Sequence, residues 1–442
     1  MSFISQFEFV GEQTKGDSAS ATTFFTIRDR KTKKEYFVKL FVESVKGKPP
    51  YSYALLKHEL DVYHKLYRDL KPYNIRNILF PHRTVQDLSY KELVEFVSEK
   101  MTENQAKKYV KNCTKEMLGK HMKVPAQNIP SITYMGSISD KVVYDKFRNF
   151  TEFLSDTKKY WTRRKLSRYM AILVLTLYQM SNIGVNQNDL HFGNIMVSQR
   201  RYGSTPFHCQ RYLIVTPKDT FIVDNEYTLL VFDFDRAAIR NEYISELSRA
   251  EHGGNCPSFH EKRDLLRVIC VLFQHIYHLI ATHSEVFDFQ QLMLDSLVRD
   301  PYIRDRIKNA FDTCWLEYRY RTPDGEVVTS ISCIDEWLTN GLASVSEILT
   351  FFFRHAKFKR VPTKKLIQND ASAIQLVTKE LAKDYLWTLD HSQLINDADL
   401  EKFITANIQY TRLLSATDKN SLVENISSGF RKTIQQSHKQ FE

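Results

Sequence analysis

The sequence predicts an α+β protein of two lobes, a small β-rich lobe followed by a larger helical one. Three observations predict it. Short aromatic and β-branched runs fill residues 1–45, separated by small or charged residues. One long amphipathic helix follows them. After residue 150 helical periodicity dominates, interrupted only by strand-like runs between 212 and 235.

In order, FEFV (7–10), TTFFTI (22–27) and YFVKLFV (36–42) read as a three-strand meander. TKGDSASA (14–21) joins the first two strands, and RDRKTKKE (28–35) is the solvated tip of a hairpin. YALLKHELDVYHKLYRDL (53–70) places Leu55, Leu56, Leu60, Tyr63 and Leu66 on one side of a helix. The Lys- and Glu-rich stretch 86–122 reads as one or two exposed helices, an insertion. SITYMGSI (131–138) and KVVYDKF (141–147) return to strand, and FTEFLSD (150–156) turns into a short helix. KLSRYMAILVLTLYQMSNIG (165–184) spaces Leu166, Met170, Leu173, Leu177 and Met180 as a helix and stops it at Gly184. YLIV (212–215), TFIVD (220–224) and TLLVFDFD (228–235) are strands, and beyond 240 the pattern is helical almost to the end. The expected domains are 1–148, a β-rich lobe with a helical insertion near 86–122; 149–362, the helical lobe; and 363–442, a helical C-terminal extension. No internal repeat or low-complexity tract interrupts them.

The net charge of +10 suits an acidic ligand such as a nucleotide, a nucleic acid or an anionic surface, without choosing among them. Basic stretches such as KHMK (120–123) and FKRVPTKK (358–365) lack the aromatic interleaving of a nucleic-acid surface, so nucleic acid is permitted but not indicated. The 29 Phe and 23 Tyr favour a packed core over disorder. Six scattered cysteines without a CxxC pair fit reduced thiols inside a cell. The N-terminus has no signal-peptide pattern. The most apolar helical runs, Tyr169–Leu177 and Leu265–Ala281, are respectively too short to span a bilayer and broken by Arg267, His275 and His278. A soluble protein of the cytoplasm or nucleus, without a transmembrane segment, is expected.

Five residues stand out. Asp189 and Asn194 lie five apart on a loop after a buried helix, and Asp233 ends a strong strand. Lys39 sits mid-strand among apolar residues, and Glu59 lies in the next helix. Singly, each has an ordinary reading: a lysine facing water, a surface glutamate, Asx residues capping turns. Together they supply what phosphate transfer requires. Asp189 is a carboxylate to orient the attacking hydroxyl, and Asp233 and Asn194 are oxygen ligands for Mg²⁺ (or Mn²⁺). Lys39 is a cation for nucleotide phosphates, held by the acid of Glu59. The small-residue loop Gly16, Asp17, Ser18, Ala19, Ser20 and Ala21 lets backbone N–H groups approach a phosphate.

At these residues the chain resembles the protein-kinase-like superfamily. VKLF with Lys39 is similar to the β3 lysine motif, and Glu59 in KHELDVYHKL to its αC partner. NQNDLHFGN resembles the catalytic loop, and VFDFD the metal-binding segment. Asp264 in HEKRDLL is similar to the buried aspartate that anchors that loop from beneath. The resemblance covers about residues 5–280. The DLHxGN form is similar to haspin-like kinases and to small-molecule kinases of the aminoglycoside and choline type. The Phe/Tyr- and Lys-rich character most resembles the atypical serine/threonine kinases of large DNA viruses. The resemblance implies a two-lobed kinase-like fold, ATP with Mg²⁺ or Mn²⁺ as cofactors, and a protein substrate. It implies Asp189 as base, Lys39 and Glu59 on the phosphates, Asn194 and Asp233 on the metal, and adenine contacts around Val143, Tyr144, Asp145 and Lys146. A place in a virion goes with a viral origin.

The departures are as specific. GDSASA stands where the family carries three glycines, and Gln187 and Asn188 replace the usual His and Arg. His191 takes the place of a phosphate-contacting lysine, where an imidazole can still donate. Asp235 replaces the final glycine of the metal-binding segment, either as a second carboxylate near the metal or as a turn cap. RRYGSTPFHCQRYL (200–213) reads as an extra surface hairpin. HGGNCPSFH (252–260) has H-x3-C-x3-H spacing but no fourth ligand nearby, so a loop is preferred to a zinc site. Two rival readings stay open: a small-molecule kinase, and a nucleotide-binding pseudokinase that serves as a scaffold or virion component.

Overall fold

The structure is a computed structural model and describes residues 3–12, 22–50, 53–118, 125–140, 148–157, 161–188, 190, 192–199, 211–225, 227–242, 259–280, 284–301, 304–305, 308, 319–321, 327–329, 341–388 and 397–438. It is a mixed α+β protein. In chain order the first elements are α1 (Phe3–Gln6), β1 (Phe7–Glu12), β2 (Thr23–Asp29), β3 (Glu35–Val45), α2 (Tyr53–Leu70), β4 (Pro81–Ser89), α3 (Tyr90–Val97), α4 (Glu103–Leu118) and β5 (Ile132–Asp140). Next come β6 (Arg148–Asn149), α5 (Phe150–Thr157), α6 (Arg163–Asn182), β7 (Val185–Asn186), β8 (Ile195–Gln199), β9 (Tyr212–Val215), β10 (Asp219–Val223), β11 (Tyr227–Val231) and β12 (Ala238–Ile239). The remainder holds α7 (Arg263–Ile280), α8 (Ser284–Leu297), β13 (Arg319–Arg321), β14 (Val327–Thr329), α9 (Val345–Ala356), β15 (Lys359–Pro362), α10 (Thr363–Ile367), α11 (Ala371–Thr388), α12 (Asp397–Ala406), β16 (Ile408–Tyr410) and α13 (Ala416–His438). The chain forms two compact units, one of residues 1–65, 79–143 and 233–258, the other of 66–78, 144–232 and 259–442.

The first unit is built on an antiparallel sheet in the order β1-β2-β3-β5-β4. The central strand β3 alternates. Tyr36, Val38 and Leu40 enter one core, while Lys39 faces the other side. On that other side Phe41 packs with Leu60 of α2 and Met135 of β5. The stretch 86–122 departs from the expectation of exposed helices. It opens with the end of β4, a strand not expected from the sequence, and its helices α3 and α4 cover the sheet. Leu93, Phe96, Val97, Ala106, Val110 and Met117 join Val38 and Leu40 in one core. The polar bias belongs to the outer faces of these helices, and the apolar positions are spaced to line the inner ones. A capping box between Ser89 and Glu92 starts α3 where β4 stops.

Gly136 of β5 pairs with Leu40, and a Cβ there would fall inside the contact distance of the Lys39 carbonyl oxygen. Gly136→Ala is therefore expected to destabilise the first unit by about 1–3 kcal/mol. Urea unfolding of the wild type and the variant tests this, and equal midpoints would contradict the close approach.

The second unit is organised around α6. Its Leu166, Met170, Leu173, Leu177 and Met180 are all buried, and Gly184 with φ 76° ends the helical run. A four-stranded sheet in the order β15-β10-β9-β16 lies in the same unit. β16 is parallel to β9 and the other pairs are antiparallel. The strands β13 to β16 correct the expectation of helix almost throughout the region beyond 240. KRVP and IQY are too short to show a strand period, yet Val361, Ile408 and Tyr410 are buried. The residues expected as a C-terminal extension pack here, with α10 to α13 and β16 sharing a core with Leu213, Val215 and Ile222. Among the described residues no helix is long and apolar enough to cross a membrane.

Candidate functional site

In the first unit Lys39 stands between two carboxylates. Its ammonium donates to Glu59 Oε2 at 2.6 Å and reaches Asp233 Oδ1 at 3.4 Å. The pairing follows from the two periods at work. Strand alternation turns Lys39 away from the Val38–Leu40 core, and Leu60 seats α2 against Phe41, which sets the neighbouring Glu59 over the strand. Glu59 is 5% exposed. Burial raises its pKa, Lys39 opposes that rise and Asp233 adds to it. Burial also works against the charge of Lys39, but Glu59 and then Asp233 outweigh it, so the lysine pKa is raised and the ammonium stays charged.

The same helix grips the segment after β11. The Asp233 N–H donates to the Tyr63 hydroxyl at 3.2 Å, and the Tyr63 ring meets Phe234 edge-on at 5.1 Å. His58 Nε2 donates to the Ala237 carbonyl at 2.7 Å. Asp233 itself takes φ 63°, a left-handed conformation that costs a non-glycine residue about 1–2 kcal/mol. That conformation ends β11 at Val231, so the strand is shorter than the expected 228–235. It also turns the carboxylate towards Lys39. His58 is not picked out by the sequence, and Tyr63 is picked out only as an apolar position of the helix. Tyr63 lies one helical turn beyond Glu59, so the i,i+4 rule carries the signal.

Asp235 completes this cluster. Burial pushes its carboxyl up to about 7, and Asp233 and Glu59 add to the rise against Lys39 and Arg236. An unfolded Asp titrates near ~3.9. Between the two values the native state holds a proton that the unfolded chain has released, so stability falls as pH rises from about 4 to about 7. Asp235→Asn is expected to flatten the melting temperature between pH 5 and pH 8. Parallel wild-type and variant curves would refute this.

In the second unit the loop after α6 hangs on Asp264. Its carboxylate accepts the Gln187 N–H at 2.7 Å and the Asn188 N–H at 3.0 Å. Arg267, one turn along α7, donates to the Asn188 carbonyl. Burial raises the Asp264 pKa, and the two N–H groups and Arg267 oppose it. Asn188 takes φ 63° beneath these contacts. Gln187, where the resembled family has His, is buried and donates from Nε2 to the Phe232 carbonyl at 3.3 Å. The Phe232 N–H in turn donates to the Asn194 carbonyl at 3.2 Å. Asn186 accepts the His260 N–H at 2.8 Å. Asn194 is 7% exposed.

No protein-family profile matches this chain, and no curated sequence matches it. The structure thus brings together Lys39, Glu59 and Asp233 in one unit, and Asp264 with the loop bearing Asn194 in the other. Asp189, His191, the loop Gly16–Ala21, and Val143, Tyr144, Asp145 and Lys146 lie outside the described residues, as do His252, Cys256 and the hairpin residues 200–210. Among the described residues no group of three or more His, Cys, Asp or Glu is placed to hold a metal by itself. A carboxylate oxygen such as those of Asp233 is nonetheless a hard donor of the kind Mg²⁺ takes when a substrate phosphate supplies further ligands.

Proposed function

We propose that the protein is an ATP-dependent phosphotransferase that moves the γ-phosphate to a hydroxyl, with Ser or Thr of a protein as the first-choice acceptor. The observation that carries this reading is the ammonium of Lys39, held at 2.6 Å by the buried Glu59 and next to Asp233. A strand lysine turned to water and a surface glutamate would not meet in this way. In this reading Lys39 binds the nucleotide phosphates, Asn194 and Asp233 hold Mg²⁺, and Asp189 orients the acceptor. Mg²⁺ supplies charge neutralisation on the phosphates when bound. Asp264, Arg267 and Gln187 fix the backbone of the loop that carries Asp189 and Asn194.

A second reading, a small-molecule kinase, is favoured by Asp235, whose carboxyl belongs to the same cluster as Lys39. The test is γ-labelled ATP with Mg²⁺, offered to basic and acidic proteins and to small alcohols. Label is expected on protein Ser or Thr, and transfer is expected to disappear in Asp189→Asn. Label on an alcohol alone selects the second reading. A nucleotide-induced thermal shift without transfer favours a nucleotide-binding scaffold. Neither shift nor transfer removes the nucleotide altogether.

A further inference from the structure

The second unit holds a separate pocket at the start of α6. It measures about 450 Å³ and is lined by Thr162, Arg164 and Lys165 of the first turn, Arg168 and Tyr169 of the next, and the Asp224–Asn225 turn. Pockets of about 300–1,000 Å³ hold small ligands or single modified side chains. We propose that this pocket is a recognition site for a phosphate monoester. It shares no residue with the Lys39 cluster or the Asp264 anchor, and the inference does not rest on phosphotransfer.

Charge points to the ligand. Three cations line the pocket against one carboxylate, and that carboxylate is engaged, with Asp224 Oδ1 2.8 Å from Arg168 Nη1. Arg164 and Lys165 have no carboxylate partner among the described residues, and the Lys165 ammonium lies 5.3 Å above the Trp161 ring. Two positive charges remain in excess, which matches the charge of about −1.5 to −2 on a phosphate monoester. The positive end of the α6 dipole adds to the field.

The Arg168 guanidinium is fixed before a ligand arrives, and that of Arg164 has one tether. Arg168 Nε donates to the Ala356 carbonyl at 3.2 Å, and Arg164 Nη2 to the Lys357 carbonyl at 3.5 Å. Arg168 also packs on the Phe358 ring at 5.5 Å. Fixed forks lose little freedom on binding and suit the tetrahedral oxygens of phosphate. Asn225 also lines the pocket. It is 7% exposed, and its amide donates to the Arg168 carbonyl at 3.3 Å, which ties the Asp224–Asn225 turn to α6. A phosphorylated peptide and a polyol phosphate both present the monoester.

Fluorescence anisotropy on the full chain tests this with a short labelled phosphoserine peptide, its unphosphorylated twin, and glycerol phosphate as competitor. The phosphopeptide is expected to bind at least tenfold more tightly than the twin. Arg164→Glu and Lys165→Glu change residues at the pocket mouth, and each is expected to weaken binding at least tenfold with an unchanged melting temperature. Asn225→Ala is expected to give a smaller loss. Displacement by glycerol phosphate at equal concentration identifies a small phosphate as the source, and resistance to it identifies a phosphorylated protein segment. Equal affinity for the twin, or unchanged affinity in both charge reversals, would overturn the proposal.

Discussion

Asp264→Ala is expected to lower stability by about 2–6 kcal/mol, because it strips the acceptor from two buried backbone N–H groups at about 1–3 kcal/mol each. The loss is larger than that of a lone surface aspartate because Asp264 is 3% exposed and both of its hydrogen bonds are buried. Arg267 would still hold the Asn188 carbonyl, but the φ of 63° at Asn188 would lose its support from the N–H side. Asp264→Asn is expected to fall between the two, since its amide keeps one accepting oxygen and turns a donor towards the other N–H. Under the proposed function, transfer falls with both variants even at temperatures where the fold persists. Chemical denaturation gives the first quantity and single-turnover transfer the second. A wild-type midpoint in Asp264→Ala would show that the loop does not depend on this anchor.

Lys39→Met is the second large effect. It removes the cation from Glu59, Asp233 and Asp235 together. Leaving a buried charge without its partner costs about 3–5 kcal/mol. Glu59 already has a raised pKa, and the loss of Lys39 raises it further. Its native pKa then lies above its unfolded one, so the native state carries the extra proton and stability falls as pH rises between them. The defect is expected to be mild at pH 5 and severe at pH 8. Adding Glu59→Gln to Lys39→Met is expected to recover much of the stability and none of the proposed transfer. That cycle separates the structural role of the pair from its chemical one. A defect independent of pH would mean that Glu59 does not titrate in the variant.

Local patterns were the legible part. Residues 53–70 match α2, and 212–215 match β9, because each carries an unbroken period and clear ends. Lys39 and Glu59, 20 residues apart in the sequence, do meet, since a strand side chain and a helix side chain need only one register to do so. What stayed hidden depends on tertiary partners. The sheet-covering role of α3 and α4 was masked by Lys and Glu on their outer faces. The strands β15 and β16 are too short for any period, and only their pairing with β10 and β9 makes them strands. Gln187 looked like a loss against the resembled family, but its bond to the Phe232 carbonyl gives it a structural task.

The parallel pairing of β16 with β9 also constrains how the chain acquires its fold. Leu213 pairs with Ile408, and β10 pairs with β15, so both edges of the β9–β10 hairpin are closed by segments synthesised much later. During synthesis that hairpin emerges with two open edges and a half-built apolar face, a template for pairing between chains. Closure over such a separation is slow, because the loop entropy is lost before the contacts form. A chain shortened before Asp397 lacks α12, β16 and α13 altogether. Its principal failure is then aggregation through the β9 edge, well before any question of catalysis arises.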